Sequence, residues 1–257
     1  MRIPLLLALA LLGGSSTGSA QTAVPSRAMQ ESDELYFAGQ VGSAFETLNR
    51  HLTSDSTDYD ALWRAARAAV VLGVAEERTG SQNEWLDPAI VLSERALALR
   101  PHGVDGLYWH GVAAGRRALN AKSDYAARLV QVVYDDAHAI LALDSLHGGA
   151  HNMLGKLNYE VMSLSRVKRA MARLFMGNQA LSDASWENAR HHLTRAAELW
   201  PDYVLFHFDL AQFYRKRGPE EEAIRSFRRA IDLPTVHPID VGLRADAQAR
   251  LDGMTSR

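Results

Sequence analysis

Between about residues 31 and 251, apolar side chains return every three or four positions and nowhere alternate one by one. That period fits one face of a helix and not a strand, so the pattern predicts an all-α chain. The helices fall into pairs with a fixed internal measure. A proline or serine closes one unit, and a small residue follows ten positions later inside the next helix: Ser56 and Ala66, Pro101 and Gly111, Ser145 and Gly155, Pro201 and Ala211. A helix precedes each closing residue, over residues 44–56, 89–101, 133–145 and 189–201. Four such junctions predict roughly four stacked helical hairpins, an α-solenoid over residues 31–252. The small residues lie 45, 44 and 56 positions apart, which places extra loop or longer helix at residues 73–87, 115–127 and 162–182. Asp87-Pro88 reads as a helix restart, an N-cap acid followed by proline. A helix over residues 239–251 is expected to cover the open apolar face of the last unit, leaving residues 253–257 as a tail.

Residues 204–234 carry the most specific spacing. His207-x2-Leu210-Ala211-x2-Tyr214…Ala223-x3-Phe227…Pro234 resembles the tetratricopeptide pattern W-x2-L-G-x2-Y…A-x3-F…P, with His207 in the tryptophan slot and Pro234 one residue early. Ala211 and Ala223 let two helices approach, and Tyr214 and Phe227 fill the space beside them. Gly218-Pro219 separates the two helices, and Glu220, Glu221 and Glu222 suit the positive end of the second. The reading is a tetratricopeptide-like solenoid with insertions and a C-terminal capping helix.

A second resemblance rests on His151-Asn-Met-Leu-Gly155-Lys-Leu-Asn-Tyr-Glu160-Val-Met-Ser-Leu-Ser165-Arg-Val-Lys-Arg-Ala170 and on Leu174-Phe175-Met-Gly177. This run is similar to the LGxxxYEVxxLSxxxR…LFG run of the regulator of microtubule dynamics family. The likeness continues through Trp186-Glu-Asn-Ala189, Ala196-Ala-Glu-Leu-Trp-Pro201 and Leu233-Pro234. It implies an all-helical repeat domain used for protein contacts, linked in animal relatives with microtubules and organelle membranes.

The first twenty residues differ in kind from the rest. Arg2 is followed by an apolar run over residues 3–12 and a small, polar run ending Gly18-Ser19-Ala20, the layout of a cleaved secretory signal peptide. The apolar run is shorter than the roughly 20 residues needed to span a bilayer. Residues 21–30 read as a flexible tether, and the mature protein is expected to be exported, into the periplasm of a two-membrane bacterium. The net charge of −2 points to neither nucleic acid nor an anionic membrane. Absence of cysteine removes disulfides, thiolate metal sites and thiol nucleophiles.

Little in the chain suggests catalysis. There is no H-E-x-x-H and no phosphate-binding glycine loop, and no G-x-S-x-G beyond the first twenty residues, so neither an enzyme nor a metal or other cofactor is expected. His147 and His151 stand one helical turn apart. The adjacent His191 and His192 point to different helical faces, and His151 and His207 occupy the tryptophan slot, so packing is their expected role. Residues 166–173 form a basic amphipathic pattern with Arg166, Lys168, Arg169 and Arg173. A solvated face accounts for it better than contact with anionic lipid.

In stacked hairpins the first helix of each pair lines the concave face, the usual ligand surface. Aligning the units puts Trp63, Arg67, Tyr108, Asn152, Lys156, Tyr159, Phe208, Gln212, Arg215 and Lys216 there. Aromatic groups beside Arg and Lys suit an extended or acidic peptide. The expected function is therefore a protein- or peptide-binding module or scaffold. The alternative is a small-molecule module whose insertions close the superhelix around an apolar pocket.

Overall fold

The computed structural model describes residues 26–170 and 178–256. The signal-peptide reading of residues 1–20 lies outside the described residues. Helices follow in the order α1 (Arg27–Phe37), α2 (Val41–Ser54), α3 (Tyr59–Ala75), α4 (Thr79–Leu99), α5 (Val104–Leu119), α6 (Ser123–Leu143) and α7 (Gly148–Ser163). After an insertion come α8 (Gln179–Asp183), α9 (Trp186–Leu199), α10 (Val204–Arg217), α11 (Glu220–Asp232) and α12 (Asp240–Thr255). No strand occurs among the described residues, as the apolar period requires.

The hairpins are α1/α2, α3/α4, α5/α6, α7/α9 and α10/α11, with α12 packed on the last pair. Among the described residues there are five, not four, because four junctions separate five units. The missed helix, α1, begins at Arg27, inside the expected tether, and α12 likewise runs to Thr255 into the expected tail. The Asp87-Pro88 restart is corrected too. Pro88 lies within a continuous α4, which is held on both sides of it by buried Leu86, Ala89 and Ile90. The Asp87 carboxylate accepts from Arg117 Nε at 2.6 Å instead of capping a helix.

Two of the three expected insertions are longer helices, α3 with α4 and α5 with α6. The third is a separate segment between α7 and α9. Residues 166–170 are helical there, while the rest of the basic 166–173 pattern lies outside the described residues.

Helix starts follow local chemistry. Asp58 accepts from the amides of Asp60 and Ala61 at α3, and Ser185 accepts from that of Asn188 at α9. Close approach sets the small positions. A Cβ on Gly155 would stand 2.7 Å from Leu193 Cγ and 2.8 Å from the Leu193 amide nitrogen, so α7 meets the backbone of α9 there. Ala211 and Ala223 are fully buried at the equivalent contact of the last hairpin, beside Phe227. Removing a phenylalanine of that kind from water contributes roughly 1.5–3 kcal/mol. The capping reading holds, since Ala247 and Leu251 of α12 pack with Phe208 and Phe227.

Candidate functional site

The first helices of successive hairpins also touch one another, α1 with α3, α3 with α5, α5 with α7 and α7 with α10. That contact puts them on the inner radius of the array, and two hollows open along it.

The first hollow, of about 260 Å³, is walled by Tyr36 and Phe37 of α1, Trp63 and Arg67 of α3, and Tyr108 and Trp109 of α5. Tyr203, Phe206, His237 and Ile239 close its far side. Trp63 and Arg67 project together because they are one helical turn apart. Arg67 is stacked 3.9 Å over the ring of Tyr36 and donates to Asp33 at 2.5 Å, so its charge is already neutralised. Its Nε is buried with no partner. Burial among these groups pushes the Tyr36 hydroxyl up to about 12, and that of Tyr108 also up.

The second hollow, of about 140 Å³, lies between α5, α6, α7 and α10. Its walls are apolar, among them Val133, Met153, Leu157 and Leu205, and its rim carries Arg116, Asn152, Lys156, Glu160 and Asp209. Asp209, only 5% exposed, accepts from Asn152 Nδ2 at 3.2 Å and from Lys156 Nζ at 3.1 Å. Glu160 takes a second contact from Lys156 at 3.3 Å. Burial works against the Lys156 ammonium, but these two carboxylates overrule it and hold its pKa above the ordinary value. Arg116 lines both hollows, and its side chain makes no hydrogen bond or ion pair among the described residues.

Of the ten inner-face residues expected from the alignment, Trp63, Arg67 and Tyr108 line the first hollow, and Asn152 and Lys156 join Tyr108 in the second. Tyr159 stands beyond them, 6.0 Å from Trp186, with Lys216 Nζ 5.2 Å from its ring. Lys216 also donates to Ser163 Oγ at 2.8 Å, and Arg215 is exposed without an ion pair among the described residues. Gln212 has a buried, unpartnered Oε1. Phe208 turns away, packing 6.0 Å from Phe227 in the core of α10, α11 and α12. The inner stripe of α10 runs through Leu205 and Asp209, and Phe208 falls about 60° from the first and about 100° from the second.

Three residues that line the hollows went unread. Asp209 had one signal, a carboxylate set between Phe208 and Leu210 in an apolar stretch. Arg116 had none, because pairing across units cannot be read from spacing. The contact of His237 with the first hairpin left no trace in the sequence either.

His151 and His207 are held within the fold, as expected of the tryptophan slot. His207 Nε2 bonds the Pro201 carbonyl at 2.8 Å, and His151 Nε2 bonds that of Ser145 at 3.2 Å. His51, Asp55 and Asp58 alone, among the described residues, bring three ligand atoms within 4.8 Å. Asp58 there caps α3 and accepts from His51, and Asp55 accepts from Thr57, so hydrogen bonds of the turn explain the cluster. No helix among the described residues is long and apolar enough to cross a membrane.

Comparison with known proteins agrees with this architecture. A thermophilic TPR protein of Thermus thermophilus superposes with a TM-score of 0.62 at 18% identity, over 87% of this chain and 97% of that one. Regulator of microtubule dynamics protein 2 of Homo sapiens is 25% identical over 210 residues, 80% of this chain and 50% of its own length. The Mus musculus protein of that name is 25% identical over 75% of this chain and 47% of its own. The chain thus spans about half the length of the curated relatives it matches. Residues 28–255 fit the model of the family described as Regulator of microtubule dynamics protein 1-3, nearly the whole helical array, and the chain belongs to that family.

Proposed function

We propose that this chain is an exported scaffold that holds a segment of a partner protein against the inner face of the array. One observation carries the reading. Arg67 and Lys156 are neutralised by Asp33 and Asp209, whereas Arg116, at the junction of the two hollows, has no counter-ion among the described residues. A partner carboxylate seated between the aromatic wall of the first hollow and the apolar wall of the second supplies that counter-ion. The unpaired, exposed Arg215 extends the preference for an acidic segment along α10.

A photo-crosslinking residue placed at Tyr108 tests this in the native cell. It should capture a discrete protein, and the same residue at the outward Glu94 of α4 should not. Arg116→Ala should lower the Tyr108 capture severalfold. Equal yields from both positions, or capture indifferent to Arg116→Ala, would refute the inner-face reading.

A further inference from the structure

The first hollow is closed by the chain itself. Residues 234–239 leave α11, cross to the first hairpin and return into α12. The ring of His237 sits 4.8 Å from Tyr203, just before α10, and 5.8 Å from Phe37 of α1, bridging the two ends of the array. Two positions on, Ile239 packs into the cluster of Tyr36, Val41, Ala44, Ala68 and Val71. Asp240 fixes the turn between these anchors, its Oδ2 accepting from the amides of Val236 at 2.9 Å and His237 at 2.7 Å. Hence a short proline-flanked turn presents a ring and an aliphatic side chain to the first hairpin as a bound peptide would.

We propose that residues 234–240 are a strap occupying a peptide site on the first hairpin. The site's partner is a segment of the same chemistry, a ring, a proline, an aliphatic residue and an acid in succession. The strap suits release. Pro234, Thr235 and Val236 are exposed, Phe37 remains 50% exposed with the strap in place, and the hold on the first hairpin rests on His237 and Ile239. While seated, the strap enjoys the high effective concentration of an intramolecular ligand, so a partner of equal intrinsic affinity is excluded until it leaves. This deepens the inner-face reading, placing the partner segment in the first hollow and making access to it conditional.

The test uses the full chain and a fluorescent synthetic peptide, Leu-Pro-Thr-Val-His-Pro-Ile-Asp-Val, as probe. The double variant His237→Ala, Ile239→Ala should bind it at least about tenfold more tightly than the natural chain, reflecting the lost intramolecular competitor. Adding Phe37→Ala should remove that gain. Because the chain has no cysteine, Tyr203→Cys with His237→Cys can be joined by a cleavable thiol crosslinker. Joining should suppress peptide binding in that same protein and cleavage should restore it, a comparison unaffected by any folding cost of the first variant. Equal affinity in open and closed forms would overturn the proposal. So would a shift of the opened variant to dimers, which assigns the surface to a second copy of the chain. Crosslinking from Tyr108 that persists with the strap joined would leave the inner-face function standing and remove the strap from it.

Discussion

The contact between His151 and His192 should make the array sensitive to mild acid. His151 Nε2–H donates to the Ser145 carbonyl, which leaves its Nδ1 as an acceptor 2.9 Å from His192 Nδ1. His192 therefore carries its proton on Nδ1, and both rings are neutral. Burial first, then the neighbouring His151, His191 and His138, pull the His192 pKa down to about 4, and burial lowers that of His151. A histidine depressed in the fold binds protons more readily when unfolded, so its contribution is complete above the unfolded value of about 6.5 and shrinks as pH falls toward 4. At 1.36 kcal/mol per unit the full shift corresponds to about 3 kcal/mol, and partial solvent access reduces the loss between pH 7 and 5 to about 1–2 kcal/mol. Urea unfolding followed by circular dichroism at pH 5, 6 and 7 measures it. His192→Gln, which keeps a donor toward His151 without a titratable ring, should remove about 1–2 kcal/mol of this dependence. A residual slope should remain from His147, His151, His207 and His237, each lowered chiefly by burial. A natural-type slope in His192→Gln would show that the pair is not the acid-sensitive element.

Four further outcomes are expected. Gly155→Ala should cost about 1–3 kcal/mol, because the new methyl meets the backbone of Leu193, while Gly42→Ala, with nothing within 4 Å of its Cβ, should gain up to about 0.5 kcal/mol. In the last hairpin Ala223→Leu should cost about 1–3 kcal/mol and the exposed Glu221→Gln well under about 1, so equal melting temperatures would refute the contact assigned to Ala223. Lys156→Ala should destabilise by about 1–3 kcal/mol by stripping Asp209 of its cation, whereas Arg116→Ala should leave melting within about 0.5 kcal/mol and lower partner capture, more so at low salt. N-terminal sequencing of the native protein should begin near Gln21, and a sequence starting at Met1 would refute the export reading.

How much of this was legible in the sequence depends on the range of the interaction. Ala66, Gly155 and Ala211 sit where helices nearly touch, and close contact admits few residue types, so the ten-residue offset survives in the sequence. The first helix of the first hairpin hid because no closing residue precedes it and because α1 buries only Met29, Ser32 and Tyr36, too few to mark a face. Pro88 misled because proline ends most helices, while here the burial of Leu86, Ala89 and Ile90 outweighs one lost backbone hydrogen bond. The inner face was half legible. A first-helix position fixes which way Trp63, Arg67 and Tyr108 point, but not which charges meet across units. Asp33 reaches Arg67 34 positions away, and Asn152 reaches Asp209 57 positions away, through the superhelical path of the whole chain. Arg67 and Lys156 therefore look like free cations in the sequence and are neutralised in the fold. Arg116, unremarkable in sequence, stands out only once Arg67 and Lys156 beside it are seen to be paired. The same holds for His237 and Ile239, whose contacts with the first hairpin exist only because the superhelix carries their turn back to it. A ligand face in a repeat array is thus defined by what the chain leaves unpaired or covers itself.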